Sequence, residues 1–337
     1  ILYEKDAHLQ LPNASTTKIV TALLVLESGD LDRTVTVPTD FINAGESSIW
    51  LQPGETHTLR DLFYAMMLKS ANDAAQVLAY AVAGSEELFV EQMNAKAAEL
   101  GLENTHFTNC YGLHDDEHYT SAYDLAMLAR EAAAYDFLNE VMVTPKYQLP
   151  WEIGEYDRVV YNGNKLLDIY EFADGMKNGY TTEAGSCLEG SATKDGRRLI
   201  AVVLNCSDMY NETAKLLEYG FENFTTKELC KAGEEIAEIS VTNGKKGKVK
   251  VVTAEAASTV IPKDLGRLPE PVLDLPENID APVKAGTPVG TITYNDGRGN
   301  TQTVELLLDA SVKRHSFPIL WQQAWARVWQ ALAVVFA

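Results

Sequence analysis

Leu11-Pro12-Asn13-Ala14-Ser15-Thr16-Thr17-Lys18-Ile19-Val20-Thr21-Ala22-Leu23-Leu24-Val25-Leu26 is the stretch on which the reading of this chain turns. From Ile19 the residues are almost all apolar to Leu26, and Gly29 follows, which predicts a buried helix with a glycine stop. Ser15 and Lys18 are three residues apart and so share one face, where the amine reaches the hydroxyl. A serine hydroxyl is a poor nucleophile until a base takes its proton. A lysine serves as that base only when desolvation or a nearby positive charge lowers its pKa. The apolar helix supplies desolvation, and a helix N-terminus offers free N–H groups and positive potential to an oxyanion.

Two further segments complete the pattern: Ser70-Ala71-Asn72 adds a hydroxyl and a carboxamide, and Lys177-Asn178-Gly179 adds a second cation beside a glycine. Read singly, each has a plainer meaning: Ser15 as a first-turn residue, Lys18 as a solvated lysine, Ser70 as a helix cap. Ser191-Ala192-Thr193-Lys194 repeats the first spacing, but it runs into a Lys-Asp-Gly turn between two strand-like runs, so its lysine belongs on a hairpin.

The surrounding text gives the trio its weight. Ser47-Ser48-Ile49-Trp50-Leu51-Gln52-Pro53-Gly54-Glu55 and the run from Thr58 to Ala75 resemble the second-motif region of the D-alanyl-D-alanine carboxypeptidases, the low-molecular-mass penicillin-binding proteins of serine peptidase family S11. Asn109-Cys110-Tyr111-Gly112-Leu113-His114, the run His118 to Ala126, and Asp174 to Gly185 resemble further signatures of that family, in order, along nearly the whole chain. The resemblance implies an α+β fold: a penicillin-binding/serine β-lactamase-like transpeptidase domain, an antiparallel sheet with helices, followed by a small all-β domain and a C-terminal amphipathic helix. It implies removal of the terminal D-alanine from peptidoglycan stem peptides through a Ser15 acyl-enzyme, and covalent binding of β-lactam antibiotics. Lys18 would be the general base and Ser70 a proton relay. Asn72 would bond the substrate backbone, Lys177 and Asn178 would address its terminal carboxylate, Gly179 and Tyr180 would complete the substrate-binding set, and the backbone N–H groups of Ser15 and Tyr180 would form the oxyanion hole.

Two departures stand out. The family's third motif usually reads Lys-Thr-Gly, and Asn178 replaces the threonine. Many members also carry an arginine after the following strand, and Ser207 to Glu212 holds none, so either substrate affinity is low or Arg198 deputises. A class A β-lactamase would share the three motifs but needs a glutamate to activate the deacylating water, and no convincing Glu-x-x-x-Asn loop lies between the second and third motifs. A non-enzymatic β-lactam-binding scaffold is the other alternative.

With 28 Lys and Arg against 48 Asp and Glu the net charge is −20, without the basic stripe of a nucleic-acid binder. Cys110, Cys187, Cys206 and Cys230 form no C-x-x-C pair and no metal-ligand spacing, and neither metal nor cofactor is expected. Cys187 and Cys206 fall on two arms of a predicted hairpin, either near each other or as free buried thiols.

At 337 residues the chain is long enough for two domains, and it divides near residue 230. Before that point helices are expected over roughly 15–28, 58–69, 73–83, 85–100, 121–134 and 211–224, with strands over 180–192 and 197–206. Residues 1–229 then make the catalytic domain. Residues 230–312, alternating and punctuated by Asn243-Gly244 and Asn295-Asp296-Gly297, make an all-β domain. Over 313–337, Phe317, Leu320, Trp321, Ala324, Trp325, Val328, Leu332, Val335 and Phe336 form one stripe opposite Gln322, Gln323, Arg327 and Gln330. That is an amphipathic helix suited to a membrane surface. The opening residues Ile1 to Asp6 resemble the second half of the family's first hairpin, so a preceding strand and signal peptide are expected outside this chain, and the resemblance implies work on the outer face of the bacterial cytoplasmic membrane.

Overall fold

The computed structural model describes residues 1–151, 158–315, 321, 322 and 324–326. They fall into two compact units, Ile1–Glu222 and Asn223–Ala337.

In the first unit a 3₁₀ turn, Ala14–Thr17, leads into α1 (Lys18–Glu27), so the serine stands one turn ahead of the regular helix that the sequence predicts from residue 15. Ile19, Val20, Ala22, Leu23 and Val25 of α1 are at most 2% exposed, so the helix is apolar all round because it is enclosed all round. A two-stranded ribbon, β1 (Thr34–Thr36) with β2 (Thr56–Thr58), precedes α2 (Leu59–Leu68). A reciprocal cap begins α2: Asp61 N–H donates to Thr58 Oγ1, and Thr58 N–H to the Asp61 carboxylate. Next come α3 (Asn72–Ala83), α4 (Glu86–Glu99) and α5 (Ala122–Ala132). Ser121 caps α5, and Gly101 follows α4 at φ 69°.

The sequence did not announce α6 (Asp136–Val143), the ribbon of β3 (Lys146–Leu149) and β4 (Arg158–Tyr161), the short α7 (Leu166–Ile169) or β5 (Ala173–Gly175). The expected strand 180–192 is two strands, β6 (Asn178–Thr181) and β7 (Gly185–Lys194). The chain reverses between them, with Ala184 N–H on Thr181 Oγ1 and Gly185 at φ 64°. Across Asp195-Gly196, β7 pairs in antiparallel with β8 (Arg197–Val203) as expected. β5 and β6 occupy the other edge of β7, and α8 (Met209–Asn223) closes the unit. Helices and sheet bury separate apolar clusters, one around α1 to α6 and one of Leu166, Leu188, Ala192, Leu217 and Phe221 beneath α8.

In the second unit β9 (Phe224–Cys230) pairs with β12 (Ala257–Pro262). The boundary therefore falls at 222/223 rather than 229/230: Phe224 to Cys230 belong with the strand that satisfies their backbone, which composition does not show. A six-stranded sheet contains β10 (Glu235–Thr242), β11 (Lys248–Thr253), β13 (Val272–Asp274), β14 (Asn278–Asp280), β15 (Pro288–Asn295) and β16 (Thr301–Leu308), in the order β13-β15-β16-β11-β10-β14. Its inward residues, among them Val251, Ile292, Val304 and Leu306, build a core of their own.

Of the C-terminal stripe, Trp321, Gln322 and 324–326 are helical, with the Trp321 and Trp325 rings edge to face at 6.1 Å. Phe317, Leu320, Gln323, Arg327, Val328 and the residues beyond lie outside the described residues. Among the described residues no helix is long and apolar enough to cross a membrane.

Candidate active site

The 3₁₀ turn that carries Ser15 is held from several sides. Asn13 Nδ2 donates to Thr16 Oγ1 and Thr17 Oγ1, at 3.1 and 2.9 Å, and Thr17 Oγ1 donates to the Ala14 carbonyl. His118 adds a fixed strut. The Thr108 N–H can only donate, so it makes His118 Nδ1 the acceptor, at 3.1 Å, and His118 Nε2–H then donates to Thr17 Oγ1 at 2.8 Å. Burial pushes the His118 pKa down to about 4, consistent with that neutral tautomer. Ala14 sits at φ 49°, which is uncommon for a residue with a side chain.

Lys18 is 0% exposed, and its amine meets three oxygens: Ser15 Oγ at 3.0 Å, Asn72 Oδ1 at 2.7 Å and the Tyr111 carbonyl at 2.6 Å. Two of these only accept. A neutral amine therefore spends both N–H groups on Asn72 and Tyr111 and turns its lone pair to the Ser15 hydroxyl, the arrangement of a base. Burial first, and then the positive charge of Lys177, hold Lys18 well below the ordinary lysine range.

Asn72 opens α3, and its Nδ2 donates to the Gly45 carbonyl at 3.0 Å. Its position is set by the next residue: Asp73 accepts the N–H groups of Ile49 and Leu51, while Asn72 N–H donates to the Ser47 carbonyl at 2.7 Å. The stretch Ser47 to Leu51 is thereby fastened to the head of α3. Ser70 lies in the link between α2 and α3 at φ 63°, and its buried hydroxyl has no hydrogen-bond partner among the described residues.

The third segment approaches along β6. A Cβ on Gly179 would stand 2.6 Å from the Ser15 nitrogen and 3.0 Å from the Thr16 nitrogen, so glycine is what lets the strand lie against the turn. Lys177, 1% exposed, donates to the Asn178 carbonyl at 2.7 Å, and burial brings its pKa down to about 8. Asn178 is half-buried and Tyr180 is exposed at the rim. Ser15, Lys18, Asn72, Lys177 and Gly179 are thus gathered by three elements into one place.

Comparison with known proteins identifies the family. Residues 1–208 match the family model described as D-alanyl-D-alanine carboxypeptidase, and residues 224–314 match that of the penicillin-binding protein 5 C-terminal domain. The chain belongs to the D-alanyl-D-alanine carboxypeptidase family S11. The carboxypeptidase DacF of Bacillus subtilis is 35% identical over 87% of this chain and 77% of its own length. DacC of Escherichia coli is 32% identical over 100% of this chain and 85% of its own. Penicillin-binding protein 5 of Haemophilus influenzae superposes with a TM-score of 0.76 at 29% identity, covering 93% of this chain and 94% of that one. The fold and the serine-type carboxypeptidase class expected from the sequence are those of this family.

Within this carboxypeptidase frame, one expectation is corrected. Arg198 does not deputise for the missing arginine, because β7 separates its strand from β6 and its guanidinium is engaged elsewhere. It donates to Asn139 Oδ1 at 2.7 Å and Ser191 Oγ at 3.0 Å, with Asp174 at 3.4 Å. Ser191 itself is a buried strand residue bonded to Asp174, and Lys194 pairs with Glu218, so the second S-x-x-K is structural. The four cysteines are free.

Sequence reasoning assigned no part to Tyr111. It acts through its carbonyl, a group that every residue has, and the loop that presents it is shaped by Asn109, whose Oδ1 accepts from the N–H groups of Tyr111 and Gly112. Gly112, at φ 92°, has no room for a side chain against the Ala14 carbonyl. The signal was present in Asn109-Cys110-Tyr111-Gly112, which carried the family resemblance without a chemical role.

Proposed function

We propose that Ser15 is the nucleophile of a D-Ala-D-Ala carboxypeptidase acting on peptidoglycan stem pentapeptides. Its Oγ adds to the carbonyl of the penultimate D-alanine while Lys18 takes the proton. The C–N bond then breaks, the departing D-alanine amine receives a proton by way of Ser70, and water hydrolyses the acyl-enzyme. The N–H groups of Ser15 and Tyr180 hold the oxyanion, Lys177 and Asn178 receive the terminal carboxylate, and Asn72 orients both Lys18 and the substrate backbone. β-Lactams acylate the same serine. The observation that carries this reading is the Lys18 amine, whose two acceptor-only partners leave its lone pair to Ser15 at 3.0 Å.

Intact-protein mass spectrometry tests it. Penicillin should add its full mass to the wild type and nothing to Ser15→Ala, and a D-Ala-D-Ala peptide should be turned over by the wild type alone. Labelling that persists on a folded Ser15→Ala protein overturns the assignment. Location is part of the same proposal: the tryptophan-bearing C-terminal segment rests on the outer face of the cytoplasmic membrane as a peripheral anchor. The sequence stripe and the helical Trp321–Trp325 pair support it.

A further inference from the structure

Glu189 stands opposite Lys177. Its N–H donates to the Lys177 carbonyl at 2.9 Å, one step along the β6–β7 ladder from the Asn178–Leu188 pair. Opposed residues of an antiparallel ladder send their side chains to the same face. This face is the one on which Gly179 meets the Ser15 nitrogen and Cys187 packs with Ala14, so Glu189 lies on the catalytic side of the sheet. It is 0% exposed, and neither carboxyl oxygen has a hydrogen-bond partner among the described residues. An acid buried without partners opposes folding, so packing does not account for it. Lys177 meanwhile spends one of three N–H groups on Asn178.

We propose that Glu189 is a positioning residue for anion recognition, the internal counter-group that keeps Lys177 an ammonium on the alkaline side of neutrality. The proposal rests on the assignment of Lys177 to the substrate carboxylate. Burial lowers Lys177 to about 8 and raises Glu189 well above the carboxylate range, and in each case the charge of the other opposes that shift. As pH rises, the first proton leaves the pair as a whole, and the proposal assigns the one remaining to Lys177, against a carboxylate one strand away. Without the acid, only burial acts. Among the described residues, the titratable and charged groups facing the pair are Lys18 on α1, Cys187 on β7 itself and, two residues along the same face at Ser191, the Arg198–Asp174 ion pair. A charged Lys18 would push Lys177 further down, and Cys187, raised to about 11 by burial, stays neutral in the relevant range.

The test compares wild type, the near-isosteric Glu189→Gln and Glu189→Leu between pH 6 and 9.5. The readouts are benzylpenicillin acylation rates, kcat and KM on a D-Ala-D-Ala peptide, and melting curves. The variants should match the wild type within about twofold at pH 6, and the alkaline limb of kcat/KM should fall about one unit lower or more. The loss should reside in KM and vanish on a peptide with an amidated C-terminus. Folded variants with the wild-type limb, or with an equal loss at every pH, overturn the proposal, as does failure of both variants to fold. A wild type that no β-lactam acylates at any pH overturns the reading beneath it instead, and the proposal with it.

Discussion

Asn178 occupies the first position of β6, half-buried beside the glycine that touches the Ser15 turn. An amide there still donates, but it is bulkier and differently aimed than a threonine hydroxyl. A recovered hydrogen bond to a charged group is worth about 1.5–3 kcal/mol, so Asn178→Thr should raise kcat/KM on a D-Ala-D-Ala peptide about tenfold or more, with no gain on an amidated peptide. Steady-state kinetics on both peptides decide it, and a drop in turnover would show that asparagine is the fitted residue. His118 yields a pH prediction. Its folded pKa of about 4 lies below the ordinary 6.5, so the unfolded chain takes the proton first. The stabilisation is complete above about pH 6.5 and is lost as pH falls toward 4, about 2 kcal/mol of it between pH 7 and 5. Urea unfolding of wild type and His118→Gln at those two pH values should show this increment in the wild type alone.

At the scale of elements, the site depends on how closely β6 lies against the 3₁₀ turn. Gly179→Ala would force about a methyl group between the strand and the Ser15 nitrogen, which a real Cβ does not tolerate at 2.6 Å. The displaced amides are those assigned to the oxyanion, and loss of one such donor costs about 10²–10³ in rate. Penicillin acylation by Gly179→Ala should fall by about that factor, while α1 and the helical core, which do not touch the substitution, keep the melting temperature near that of the wild type. A rate within a few-fold of wild type would show that the N–H groups there are not the oxyanion donors.

For the whole molecule, the groups assigned to chemistry lie between Ser15 and Tyr180, inside the first unit, and the second unit has its own core. A chain ending at residue 313 should therefore retain peptide turnover within about twofold and leave the membrane fraction, if the C-terminal segment is the anchor. Cell fractionation together with turnover of the soluble fraction measures both, and unchanged membrane retention would remove the anchor from the proposal.

Much of this was legible in the residues. The spacing of Ser15 and Lys18, the nearly continuous apolar run after them and the Asn-Gly and Asp-Gly turns are local instructions, and local propensity carried them into the structure. Short elements without periodicity, such as α6 and the β3–β4 ribbon, were not legible, because a few residues hold too little pattern to be recognised before their packing partners are known. The same limit moved the domain boundary, since β9 looks like the end of one unit until β12 pairs with it. Tyr111 and Glu189 show the deeper reason. A carbonyl oxygen has no signature in a side-chain alphabet, and a glutamate in a strand reads as solvated until the fold turns it inward opposite Lys177. Residue types and spacing determined which chemistry this chain carries. Only tertiary structure decided which atoms accept the Lys18 protons and which buried acid faces Lys177, because those depend on distances between segments far apart in sequence.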